Sequence, residues 1–171
     1  AIKAAASLGV WMVNVHASGG RVMMETVRNE LDKLPNANTR PIVIGVTVLT
    51  SMDQAQLNDI GINVSPKEQV LRLARLVKES GLDGVVSSAQ EAALIKQELG
   101  SDFITVTPGI RPAGAALGDQ KRVMTPVEAV QAGSDYLVIG RPITRAEDPR
   151  AVLKSINAEL YQALAKRNGI L

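Results

Sequence analysis

The sequence predicts an α/β fold built on parallel strands, and three observations carry that prediction. Five short runs rich in valine and isoleucine are spread along the chain: Val10 to Val15, Ile42 to Leu49, Gly84 to Val86, Phe103 to Thr107 and Tyr136 to Ile139. They are nearly continuous rather than alternating, the mark of strands buried on both faces. A segment of helical character follows each run, and strands alternating with helices make a parallel sheet covered by helices.

Taken in order, the first run is followed by Met23, Val27, Leu31 and Leu34 at near-helical spacing, and the Met23-Met24 pair reads most simply as core packing. The second and longest run ends in Thr50-Ser51, ahead of a helix through Gln54 and Leu57. A further helix opens at Ser65-Pro66-Lys67-Glu68, where Val70, Leu73, Ala74 and Val77 give an i, i+3, i+4, i+7 stripe. The third run leads into Ser88-Ala89-Gln90-Glu91, and the fourth, after a long interruption, into Thr125-Pro126-Val127-Glu128. These three tetrapeptides have the form of capping boxes, in which a hydroxyl and a carboxylate three residues on satisfy otherwise unpaired amides. Gly81, Gly100 and Gly133 stand where helices should stop.

Polar and glycine-containing segments gather after the strands: Asn14 and His16, Thr50-Ser51, Ser87-Ser88, Pro108 to Arg111, and Gly140-Arg141-Pro142. In a (βα)8 barrel these ends converge on one rim, whereas an open doubly wound sheet concentrates its site at one switch point. The barrel is the expected form. Five strands cannot close one, and unpaired edges invite aggregation. The opening "AIKAAASLGV" carries no initiator methionine and reads as the last turns of a helix stopped at Gly9. The expectation is therefore a single domain over residues 1–171, the C-terminal portion of a phosphate-binding barrel that lacks its first three strands. At the usual ~30 residues per unit, on the order of 80 residues would precede it.

Composition narrows the partners. With 19 basic against 17 acidic residues the net charge is +2 and the basic groups are dispersed, which argues against nucleic acid as a partner. Trp11, Phe103, Tyr136 and Tyr161 are the only aromatic residues besides His16, too few for a base-stacking platform. Without cysteine there is no disulfide scaffold or thiolate metal site, and the lone His16 reads as a structural histidine rather than a metal ligand. No run reaches the ~20 apolar residues of a membrane span, so no membrane partner is expected and a cytoplasmic location fits.

The chemistry concentrates in two places. Gly109 to Arg111 and Gly140-Arg141 would occupy equivalent positions after the last two strands and be neighbours in space. Glycine lets backbone amides approach an anion, and arginine supplies a planar, charged donor, so phosphate is the ligand this pairing suits. The plainer reading is turn chemistry with both arginines solvated. The long stretch "VTPGIRPAGAALGDQKRVMT" exceeds the usual ~2–6 residues of a strand–helix connection and so reads as a lid, or else as a tolerated insertion. Within it Gln120 offers an amide that can donate to a phosphate and accept from a ligand. Thr50 and Ser51 either bond a ligand in the same mouth or cap the helix that follows. Asp83 and Asp119 have no evident acid or base partner and take no catalytic assignment.

At "VNVHASGG", "VTVLTSM", "SAQE", "VTPGIRPAG", "GDQKR" and "VIGRPIT" the chain resembles the bacterial orotidine 5′-phosphate decarboxylase family, in order and over essentially its whole length. The resemblance implies a (βα)8 barrel, a homodimer with sites at the dimer interface, and conversion of orotidine 5′-monophosphate to UMP and carbon dioxide without metal or organic cofactor. It implies that Arg111, Gln120, Gly140 and Arg141 bind substrate, mainly its phosphate, that Thr50 lies by the nucleotide, and that Ser51 faces the pyrimidine. The family's catalytic network, a lysine and an Asp-x-Lys-x-x-Asp motif, has no counterpart in these residues, so no catalytic residue is assigned and the chain by itself is expected to be inactive. The alternatives are another phosphate-binding barrel, such as a metal-dependent sugar-phosphate decarboxylase or aldolase, or a non-catalytic phosphate-binding remnant.

Overall fold

A computed structural model describes residues 1–34, 40–114 and 118–167. The elements run α1 (Ile2–Ser7), β1 (Met12–His16), α2 (Arg21–Asp32), β2 (Ile42–Val46), α3 (Gln54–Asp59), α4 (Pro66–Glu79), β3 (Gly84–Val86), α5 (Ala89–Leu99), β4 (Ile104–Thr107), α6 (Pro126–Gln131), β5 (Tyr136–Leu137), α7 (Arg141–Thr144) and α8 (Pro149–Arg167). All five expected strands are present and every pairing is parallel, although β2 stops at Val46 and β5 at Leu137, short of the apolar runs that announce them.

Strand order decides between barrel and open sheet. It is β1-β2-β3-β4-β5, each strand beside its sequence neighbour. Right-handed crossovers that always step the same way put every helix on one face, with no reversal and hence no switch point. Curvature agrees. Across a flat sheet the outer strands would stand about 19 Å apart, at ~4.8 Å per gap. Yet the rings of Trp11, just before β1, and Tyr136, in β5, lie 5.2 Å apart between centroids. The sheet is therefore curled into an arc of a barrel.

The core lies between this arc and its helices. Val43 and Val85 from the strands meet Met24, Val27, Leu31, Val70, Ala74, Val77 and Ile95 from the helices, all of them buried. At Gly45 a β-carbon would collide with the side chain of Val77, so glycine lets α4 pack directly on β2. Two aspartates tie strands together at the opposite end from the rim. Asp83 accepts the Val43 amide and Asp135 the Thr105 amide, each at 2.7 Å, through the residue just ahead of β3 or β5.

Helix ends follow the sequence with two changes. Gly81, Gly100 and Gly133 all adopt the left-handed φ that stops a helix. Thr125 and Glu128 form the full reciprocal box expected of them, whereas Ser65 makes only its own half, accepting from the Glu68 amide. Ser88 accepts from Gln90, one residue early, and the Glu91 carboxylate pairs with an arginine in the long loop instead of completing the box. A second full box, Asp53 with Gln56, starts α3. Asp53 therefore does the capping, and neither Thr50 nor Ser51 does. His16 is also corrected: its side chain is exposed at the end of β1 rather than packed as a structural residue.

Candidate functional site

The C-terminal ends of the strands form the rim, and residues 108–114 and 118–125, between β4 and α6, lie at it. Residues 115–117, part of the stretch read from sequence as a lid, lie outside the described residues. What returns across the rim is the run Asp119-Gln120-Lys121-Arg122, and each of its four side chains docks on a different part of the barrel. Asp119 pairs with Arg141 at the start of α7. Gln120 Oε1 accepts from Thr50 Oγ1 at 2.5 Å, beyond the end of β2. Lys121 pairs with Asp53, the cap of α3. Arg122 Nη1 donates to Glu91 Oε1 at 2.5 Å in the first turn of α5.

Glycine makes two of these contacts possible. Gly109 has φ +77°, and a β-carbon there would sit 3.1 Å from both Gln120 Oε1 and the Arg122 carbonyl. Gly118, at φ +63°, lies against the guanidinium of Arg141, where a β-carbon would be 3.2 Å from Cζ. At Gly140, just before α7, a β-carbon would meet only open space.

Three of the six residues singled out from sequence take part in these contacts. Thr50 touches Gln120, and Arg141 stands where residues 118–119 land, whereas Gly140, next to it in the chain, makes none of these contacts. Ser51 is half-buried beside Thr50. Arg111 is only 7% exposed and donates from Nη1 to the Ile110 carbonyl at 2.8 Å, so the reading that leaves it solvated is wrong. The Arg111 amide also donates to the Met124 carbonyl, and an isolated bridge joins Ile110 to Met124, closing the loop's two stems on each other.

Charge is distributed unevenly here. The Arg141 guanidinium, by hydrogen bonding, holds the Asp119 carboxyl below the usual carboxylate range, and Lys121 does the same for Asp53. Burial instead pushes the Glu91 carboxyl up, against the pull of Arg122. Arg122 and Glu91 are the residues that sequence reading passed over. The "SAQE" pattern fits a capping box, and nothing in the spacing of Glu91 and Arg122 announces their meeting. The rim can do one thing well: it offers an arginine, an amide and a glycine-flanked opening to an anion at the strand ends. The cleft of about 620 Å³ at the opposite end of β3 and β4, lined by Lys78, Asp83, Ser101 and Phe103, shares no residue with it.

The sequence pattern of the family described as orotidine 5′-phosphate decarboxylase / HUMPS matches residues 1–156. An orotidine 5′-phosphate decarboxylase of Vibrio parahaemolyticus is 67% identical over 160 residues, 94% of this chain and 68% of that protein. One from Aliivibrio fischeri is 63% identical over 164 residues, 96% of this chain and 69% of the relative. Among solved structures, the orotidine 5′-phosphate decarboxylase of Lactobacillus acidophilus superposes with a TM-score of 0.78 at 39% identity, covering 93% of this chain and 67% of its own. By this family match and these relatives, and with the barrel arc fitting the solved neighbour, the chain belongs to the orotidine 5′-phosphate decarboxylase / HUMPS family.

Proposed function

We propose that this protein acts in the decarboxylation of orotidine 5′-monophosphate to UMP in pyrimidine biosynthesis, and that the residues described here hold the nucleotide by its phosphate. The single observation that carries the reading is the convergence of Arg141, Gly140, Gln120 and Thr50 on one rim, at the positions the family resemblance assigns to substrate. Arg141 would take the phosphate by a charge-assisted, bidentate contact in place of Asp119. Gln120 would donate its amide NH2 to the phosphate while its carbonyl keeps Thr50 oriented. Arg111 would support the phosphate side, and Ser51 the pyrimidine side. No metal or organic cofactor belongs to this proposal.

By the family resemblance, the chemical step needs a lysine and an Asp-x-Lys-x-x-Asp motif, and that motif does not occur in these 171 residues. The nearest approach to Asp-x-Lys-x-x-Asp is Asp119 to Met124, which ends in methionine and whose Lys121 is turned to Asp53. The contribution of the rim is binding energy taken from a non-reacting group, which can be used to organise the reacting one. Assembly as a cytoplasmic homodimer is part of the same proposal. It rests on the family relationship, and sedimentation showing only monomer at micromolar concentration would remove it.

The test compares UMP with uridine by calorimetry. Arg141→Ala should weaken UMP binding ~10- to 100-fold, the loss of a hydrogen-bonded charge contact, and leave uridine binding unchanged. Equal losses for both ligands would overturn the phosphate assignment. Added orotidine 5′-monophosphate should be bound by the chain but not decarboxylated; magnesium-dependent turnover of a sugar phosphate would favour the alternative chemistry.

A further inference from the structure

Arg122 and Glu91 form the best-buried ion pair among the described residues, with side chains 12% and 6% exposed. Its construction is poor for a purely stabilising element. Only one carboxylate oxygen is used, and Glu91 Oε2 and Arg122 Nε are both buried without a hydrogen-bond partner. Buried polar atoms left in this state are destabilising, and a buried pair can often be replaced by apolar residues without loss. What the pair does achieve is connection. Arg122 Nη2 donates to the carbonyls of Val48 (3.2 Å) and Leu49 (3.1 Å), the two residues immediately before Thr50. Its own carbonyl accepts from Ser88 Oγ. One side chain thus fixes the exit of β2, the first turn of α5 and the returning loop in a single register.

Gln120 stands two residues before Arg122, and Thr50 one residue after Leu49. The register set by Arg122 is therefore the register in which Gln120 meets Thr50. We propose that Arg122 and Glu91 are positioning residues for the phosphate rim: they do not touch the ligand, and they hold Gln120 where it can serve both Thr50 and a bound phosphate. This rests on the phosphate reading above, and the experiment separates the two.

The test uses the charge-neutral double variant Glu91→Gln/Arg122→Met, which strands no buried charge, with Arg122→Lys as the conservative partner. Amide hydrogen exchange without ligand should accelerate ~10-fold at residues 119–122 in the double variant, while the exchange of β2 to β4 stays as in the parent. Unchanged exchange at 119–122 overturns the proposal whether or not UMP binds. With UMP as probe, Gln120→Ala should weaken binding ~10-fold in the parent and less than ~2-fold in the double variant, since the amide is no longer in place. An equal loss in both backgrounds overturns the positioning role and leaves the phosphate reading intact. Should Gln120→Ala and Arg141→Ala have no effect in the parent, the phosphate reading fails while the exchange result still judges the pair. Arg122→Lys, which keeps charge but not the planar fork, should restore slow exchange only in part.

Discussion

One loop carries two arginine–carboxylate pairs at its return, and they differ in almost every physical respect. Arg122–Glu91 has side chains 12% and 6% exposed and adds bonds to three backbone carbonyl or hydroxyl groups. Arg141–Asp119, whose carboxylate stands three residues before Arg122, has side chains 40% and 63% exposed. Water screens the second pair and not the first, so the first is framework and the second is exchangeable. That asymmetry suits the proposed phosphate site: a donor available to an anion but satisfied by a weak internal substitute until the anion arrives.

The largest effect that would test this contrast is on stability. Arg122→Ala leaves Glu91 buried without its cation, and breaking such a pair costs about 3–5 kcal/mol. Thermal or urea unfolding should show it, with the Glu91→Gln/Arg122→Met double variant recovering most of the loss. If Arg122→Ala cost no more than Arg141→Ala, which should change stability by less than about 0.5 kcal/mol, the division into framework and exchangeable pairs would be wrong.

A smaller effect locates where the fixed part of the loop ends. Thr125 accepts from the Glu128 amide, and Glu128 in turn accepts from the Thr125 amide and hydroxyl. Thr125→Ala removes the hydroxyl half of this box and should cost about 1 kcal/mol. UMP affinity should be unchanged, because Arg122 and the Ile110–Met124 bridge already hold the stem upstream of it. A parallel fall in UMP affinity would move the boundary of the fixed region toward the rim.

How much of this the sequence reveals depends on the range of the interaction. The strands, the helix stops at Gly81, Gly100 and Gly133, and the Thr125–Glu128 box arise from residues within a few positions of each other, and the local pattern displays them. Gly109, Gln120 and Arg141 are legible through their residue types and the family resemblance. Contacts that join residues distant in the chain leave no such trace. Glu91 meets Arg122 across 31 positions and Thr50 meets Gln120 across 70. In the first case the local motif misleads, since a glutamate three residues after a serine looks like a cap until an arginine from another loop claims it. Ser51 and Thr50 mislead in the same way: hydroxyls ahead of a helix are natural caps, but Asp53 is nearer and carries the charge that suits a helix start.

The smallest expected effect is the most diagnostic of exchange. Asp119→Asn removes the internal competitor for Arg141, so UMP and inorganic phosphate should bind modestly more tightly, the opposite direction to every other variant of the rim. The pH dependence has a definite sign. Arg141 depresses the Asp119 carboxyl in the folded state, so whatever stability the pair contributes is present above the unfolded carboxylate value and disappears as pH falls through the lower, folded one. Parent and Asp119→Asn should therefore differ slightly in melting temperature at neutral pH and converge in acid below that value. The affinity comparison belongs at a fixed pH above 7, because phosphate itself gains a proton near pH ~6 and would mask the change. Tighter binding by Asp119→Asn, together with acid convergence of the melts, identifies Asp119 as a stand-in for the ligand; weaker binding would mean that the carboxylate instead helps to orient Arg141 toward it.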